Sequence, residues 1–163
     1  MKRLFGFMMA TAGMLLLTAC EQNFADFEKT KFDGRDISGV WAHVTYDIPA
    51  EFYDFDCGVA EVLIFDGNTV SIGSILKDNG IHRLYEFKNG YIYGCSYDDV
   101  KISYTTDLNI EGDAIHLTQE FFGFSNTIER DGNKLILKEE TGLPYDTPTY
   151  KTFEKVKGFK PAK

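Results

Sequence analysis

Residues 111–139 read EGDAIHLTQEFFGFSNTIERDGNKLILKE. Within this stretch Ile115, Leu117 and Phe121 alternate with His116, Thr118 and Glu120. An apolar residue at every second position is the pattern of a strand buried on one face. Glu111-Gly112-Asp113 precedes this run, and Asp131-Gly132-Asn133 precedes the next one. Gly, Asn and Asp tolerate the positive backbone dihedrals that tight hairpin turns require. The stretch therefore predicts antiparallel strands joined by short turns.

The same chemistry recurs upstream in Asp66-Gly67-Asn68 and Lys88-Asn89-Gly90. The four glycines, at 67, 90, 112 and 132, are each separated by the length of one down-and-up pair of strands. Runs rich in Val, Ile, Tyr, Phe and Thr predict about ten strands, near 39–47, 59–66, 69–75, 82–88, 91–95, 100–108, 114–121, 125–130, 134–139 and 149–157. No sustained helical period interrupts them. In a meander every second turn falls at one end of the sheet, so the four tight turns should share an end. The opposite connections, 48–58, 76–81, 96–99, 122–124 and 140–148, are mostly longer and rich in aromatic residues and proline. An even number of antiparallel strands lets the last pair with the first. The predicted fold class is therefore all-β, an up-and-down antiparallel β-barrel of about 8–10 strands.

The N-terminus has a different character. Lys2 and Arg3 are followed by an apolar run from Leu4 to Leu17, which ends in Thr18-Ala19-Cys20. This is the three-part build of a secretory signal peptide, and the run is too short to be read as a spanning helix. Leu17-Thr18-Ala19-Cys20 resembles the lipobox of a bacterial lipoprotein, which implies acylation of the Cys20 thiol and attachment to a lipid bilayer. Several acyl chains anchor a protein durably where one does not. Residues 1–19 are assigned to the leader, 20–37 to a polar lipidated tether, 38–158 to the barrel and 159–163 to a C-terminal tail. The implied location is the bacterial cell envelope, at its outer membrane.

All 25 acidic residues lie beyond Ala19, whereas Lys2 and Arg3, two of the 17 basic ones, lie before it. A surface this acidic repels phosphate backbones, so nucleic acid is not an expected partner. Two cysteines remain beyond Cys20, Cys57 and Cys95. Outside the cytoplasm an even remainder favours a disulfide between them, which would stabilise the fold by roughly 4 kcal/mol. Two buried thiols or one reactive cysteine are the competing readings. In a flat sheet their strands lie about 14 Å apart, so a bridge requires the 48–58 loop to fold across the open end.

Gly39-Val40-Trp41, at the start of the first strand, resembles the Gly-X-Trp motif of the lipocalin and wider calycin group. With the lipobox, the meander and the closing strand Thr149–Val156, the pattern is similar to lipocalin-like lipoproteins of the Bacteroidota. The resemblance implies that Gly39 and Trp41 are structural residues at the closed bottom of a barrel. It also implies an arginine late in the barrel covering the tryptophan, where this chain's closing strand offers only lysines.

The chain contains no nucleophile elbow, phosphate-cradling glycine loop or zinc-type Cys/His series, so neither an enzyme nor a cofactor is expected. His43, His82 and His116 diverge, and Glu51, Asp54 and Asp56 lack the pattern of a calcium loop, so no metal is expected. The aromatic residues of the long connections are the remaining signal. Phe52, Tyr53, Phe55, Tyr97, Phe121, Phe122, Phe124 and Tyr145 are the candidate ligand-binding residues at an open mouth. The expected function is a lipid-anchored envelope protein holding a small apolar or amphipathic ligand. The alternative is an accessory lipoprotein with a filled barrel, using its aromatic loops to bind an envelope protein or a glycan.

Overall fold

A computed structural model of the protein describes residues 26–76, 83–119, 124–140, 143, 145 and 147–161. The leader, Cys20, His82, Phe121 and Phe122 lie outside the described residues. Among the described residues there is no α-helix, and the architecture is all-β. The strands are β1 (Lys31–Phe32), β2 (Arg35–Asp36), β3 (Gly39–Tyr46), β4 (Cys57–Asp66), β5 (Thr69–Ile75), β6 (Tyr85–Lys88) and β7 (Tyr91–Tyr93). A 3-10 turn at Tyr97–Asp99 leads into β8 (Val100–Asp107), β9 (Asn109–Glu111), β10 (Ala114–Gln119), β11 (Phe124–Asp131), β12 (Lys134–Glu140), β13 (Thr149–Lys155) and β14 (Gly158–Lys160).

The turns form where the Gly/Asn/Asp chemistry places them. Gly67-Asn68 joins β4 to β5, Gly112-Asp113 joins β9 to β10, and Gly132-Asn133 joins β11 to β12. Asn89 and Gly90, both at positive φ (56° and 86°), join β6 to β7 as a mirror-image hairpin turn demands. The first three turns share one end with Gly39, which pairs with Phe65 beside the Gly67 turn. Asn89-Gly90 belongs instead to strands outside the main series, and the Gly90 carbonyl accepts from the Lys157 amide at 2.7 Å.

Antiparallel pairing runs β9-β10-β11-β12-β13-β3-β4, and β4 then branches. At a bulge, Ala60 and Glu61 both face His43, because Ala42 pairs with Val62 while Val44 pairs with Val59. Beyond the bulge β4 pairs with β5, which pairs in turn with β8; before it, Gly58 and Val59 pair with β6. Strand β6 continues through β7 to β14, the last joined in parallel. Leu108 alone separates β8 from β9. These hydrogen bonds describe a branched sheet with ends at β14, β8 and β9, not a closed barrel. The exchange of partners at the bulge and the break at Leu108 are the reasons.

Period-two alternation sorts the side chains into two cores. One contains Trp41, Leu63, Phe65, Val70, Ile115, Leu117, Ile128, Leu135, Leu137 and Phe153, from strands β3 to β5 and β10 to β13. The other faces of β3 and β4 supply Val40, Ala42, Val44, Val59, Val62 and Ile64 to a second core, covered by Tyr85, Phe87, Ile92 and Phe159 of β6, β7 and β14. Both faces of β3 and β4 are thus buried.

Two boundaries expected from the sequence change. The tether of residues 20–37 is in its later part a hairpin, β1–β2, whose Phe32 and Ile37 are buried in the first core. It spans the end with the turns: Thr30 Oγ1 donates to the Gly67 carbonyl (2.8 Å) and Arg35 Nη1 to the Gly132 carbonyl (3.2 Å). The tail of residues 159–163 begins with a buried core residue, Phe159, because β14 closes the outer strands.

Candidate functional site

The alternation that builds the first core continues toward the end away from the tight turns, and there the side chains change chemistry. On β4, Phe65 and Leu63 are followed on the same face by Glu61. On β12, Leu135 and Leu137 are followed by Glu139; on β13, Phe153 by Lys151 and Thr149; on β11, Ile128 by Asn126. The register aligns these residues, with Asn126 opposite Glu139, Glu139 opposite Thr149, and Leu137 opposite Lys151. Glu61, Asn126, Glu139, Thr149 and Lys151 line a cavity of about 410 Å³, with Leu63, Ile72, Leu137 and Phe153 as its apolar part. Gly73, Ser74 and Ser103, from β5 and β8, complete the wall.

The polar layer is held by its own contacts. Lys151 Nζ lies 3.0 Å from Glu61 Oε2 and 3.2 Å from Glu139 Oε1. His43 Nδ1 lies 3.5 Å from the same Glu61 oxygen, placed there by the β4 bulge, and its ring stands 5.5 Å from that of Phe153. Thr149 Oγ1 donates to Glu139 Oε2 at 3.1 Å. The His43 hydrogen bond, with that from Lys151, outweighs burial and holds the Glu61 carboxyl down to about 2. Burial pushes the Lys151 ammonium down, but its two carboxylate partners prevail and its pKa is raised. Asn126 is only 7 % exposed, and its Oδ1 has no hydrogen-bond partner among the described residues. A buried acceptor without a donor costs free energy that a ligand donor can recover.

Among the sequence-predicted aromatic residues whose side chains are described, Phe52, Tyr53, Phe55, Tyr97 and Tyr145, none lines this cavity. Phe52, Tyr53 and Phe55 line a separate open cleft of about 890 Å³ on the outer strands, with Leu84, Tyr85 and Tyr93. The Tyr53 and Phe55 rings lie 5.0 Å apart, and Phe52 is 72 % exposed. Phe55 also packs down on the sheet, since a Cβ at Gly58 would meet it at 3.1 Å. Tyr97 is packed in the second core between Phe27 and Phe159, where burial pushes its hydroxyl pKa up. Phe124 opens β11, and Tyr145 stands almost wholly in solvent.

Cys57 and Cys95 both border the second core and carry thiols, with no bridge between them. The 48–58 connection folds toward β6 and β7 rather than across the cavity, so it does not act as the pinned lid that a bridge implied. Burial, then the neighbouring Asp56 carboxylate, raises the Cys57 thiol pKa, which argues against a reactive nucleophile.

Gly39 and Trp41 lie at the end that carries the three turns. Trp41 Nε1 donates to the Ile37 carbonyl at 2.8 Å, and Lys155 Nζ stands 5.3 Å from the centre of its ring. Comparison with family models, with curated proteins and with solved structures finds no match to this chain.

Proposed function

We propose that this protein is a binding protein which holds a small amphipathic molecule in the cavity lined by Glu61, Asn126, Leu137, Lys151 and Phe153. The observation that carries this reading is the layering of that cavity, apolar toward the packed core and polar toward the opposite end. A few hundred Å³ lined in this way suits an alkyl chain or a small ring with one polar group. Strands β3–β5 and β8–β13 then serve as a barrel-like cup, in keeping with the lipocalin resemblance of Gly39-Val40-Trp41. The β1–β2 hairpin is the plug at its base.

The lipobox at Cys20 supplies the address in this proposal, a lipid anchor in the bacterial cell envelope. The chain enters the fold beside the plugged end, so the cup opens away from the bilayer. Detergent-phase partitioning tests the anchor: the full-length protein expressed in bacteria enters the detergent phase, and Cys20→Ser stays in the aqueous phase.

Binding is tested by titrating the purified protein with the neutral fluorescent amphiphile N-phenyl-1-naphthylamine. Saturable enhancement that is lost in Leu137→Trp, which fills the cavity, supports the reading; enhancement unchanged in that variant refutes it. A second reading, adhesion to a glycan or an envelope protein, draws on the outer cleft, where Phe52 is exposed and the buried Tyr85 hydroxyl has no partner among the described residues. Loss of binding in Phe52→Ala instead of Leu137→Trp favours that site.

A further inference from the structure

The charges around the cavity are unequal. Its lining includes three carboxylates, Glu61, Glu139 and Glu140, and among the described lining residues one cation, Lys151. Glu140 is offset by Lys138, which is not part of the lining. Lys151 is already spanned by Glu61 and Glu139. An anionic head group entering here would have to share that one ammonium with two resident carboxylates. A cationic head group meets the reverse situation, two carboxylates that share one lysine, with His43 beside Glu61 and the Thr149 hydroxyl on Glu139 as their other partners.

A second, independent feature points the same way. Among the described residues Asn126 Oδ1 is an acceptor without a donor, on the strand face that continues Ile128 into the core. It pairs in register with Glu139, so the unpartnered acceptor and a carboxylate lie side by side on the cavity wall. A group that donates hydrogen bonds and carries positive charge satisfies both at once, and charge-assisted bonds of this kind are the strong ones. Below them Leu63, Leu137 and Phe153 offer only apolar contact.

We propose that the ligand of this cavity is a cationic amphiphile, a primary alkylammonium whose head lies beside Asn126 and Glu139 and whose chain points toward Phe153. This selectivity rests on the cavity being the binding site, and the test separates the two claims. Dodecylamine, dodecanol and dodecanoate are each used, below their micellar concentrations, to displace N-phenyl-1-naphthylamine from the protein at neutral pH. Dodecylammonium competes about tenfold better than dodecanoate, a difference of about 1.4 kcal/mol. In Glu139→Gln, with circular dichroism matching the wild type, that ratio falls severalfold, because the ammonium of Lys151 is then less fully neutralised. Equal displacement by all three, or a preference for dodecanoate, overturns the cationic assignment and leaves amphiphile binding standing. Displacement by none of the three overturns both.

Discussion

Lys155 Nζ stands 5.3 Å from the centre of the Trp41 ring and also donates to the Ser38 carbonyl. A lysine on the last long strand thus covers the tryptophan on the first, where the lipocalin resemblance implies an arginine. Trp41 is the single tryptophan of the chain, so its fluorescence reports on this contact alone. Lys155→Ala removes the cation over the ring and lowers stability by about 0.5–1 kcal/mol, whereas Lys155→Arg keeps most of it. Denaturant unfolding followed at the tryptophan emission measures both; equal loss in the two variants would show that the cation does not matter.

Gly58 lies where no side chain fits. A Cβ there would come within 2.7 Å of Ile48 Cδ1 and 2.9 Å of Leu84 Cβ, with Phe55 behind them. Gly58→Ala therefore wedges the 48–56 connection away from β4 and costs about 1–3 kcal/mol. The midpoint of chemical denaturation should fall accordingly, and the affinity for ligands in the cavity should hold, since Gly58 lies on the other flank.

The Glu61 cluster makes stability depend on pH in one direction. Its carboxyl is held down to about 2 in the folded protein, below the ordinary value near 4.5. The native state therefore binds fewer protons than the unfolded chain between those values. The contribution is fully present above about pH 4.5 and is lost as the pH falls toward 2. Because the Glu61 side chain keeps 43 % of its surface exposed, solvent screening limits the effect to about 1 kcal/mol. Glu61→Gln should flatten this part of the stability curve, with melting temperature measured from pH 6 to pH 2.5; an unchanged curve would show that other carboxylates carry the dependence.

Asn126 separates stability from function. Replacing an amide whose buried oxygen has no partner among the described residues with an apolar side chain of similar size removes that desolvation cost, so Asn126→Leu should be neutral or more stable by about 1 kcal/mol. The same change removes an acceptor from the cavity wall and should weaken alkylammonium binding severalfold. If the variant loses both stability and binding, Asn126 is a structural residue.

Most of the strand ladder was legible from the sequence, because turn residues bracket each run: β5 is expected at 69–75 and found at Thr69–Ile75. The plug was not, because β1 and β2 have two residues each and Phe32 and Ile37 stand singly among Lys31, Asp33, Arg35 and Asp36. Strands β6 and β7 were expected within the ring; the bulge at Ala60–Glu61, which lets β4 trade partners, has no signature in the residue pattern. The cavity is legible in the same alternation. Glu61, Glu139 and Lys151 share the parity of Leu63, Leu137 and Phe153, so extending each alternation through the charged residue turns it inward. The aromatic loop residues carry no parity to show which surface they face.

The most direct test of the layered cavity is a set of intermolecular nuclear Overhauser effects between bound N-phenyl-1-naphthylamine and isotope-labelled protein. Contacts from the probe's rings to the methyls of Leu63, Ile72 and Leu137 and to the ring of Phe153 are the predicted result. Contacts confined to Phe52, Tyr53, Phe55 and Tyr93 would place the ligand in the outer cleft and contradict the account.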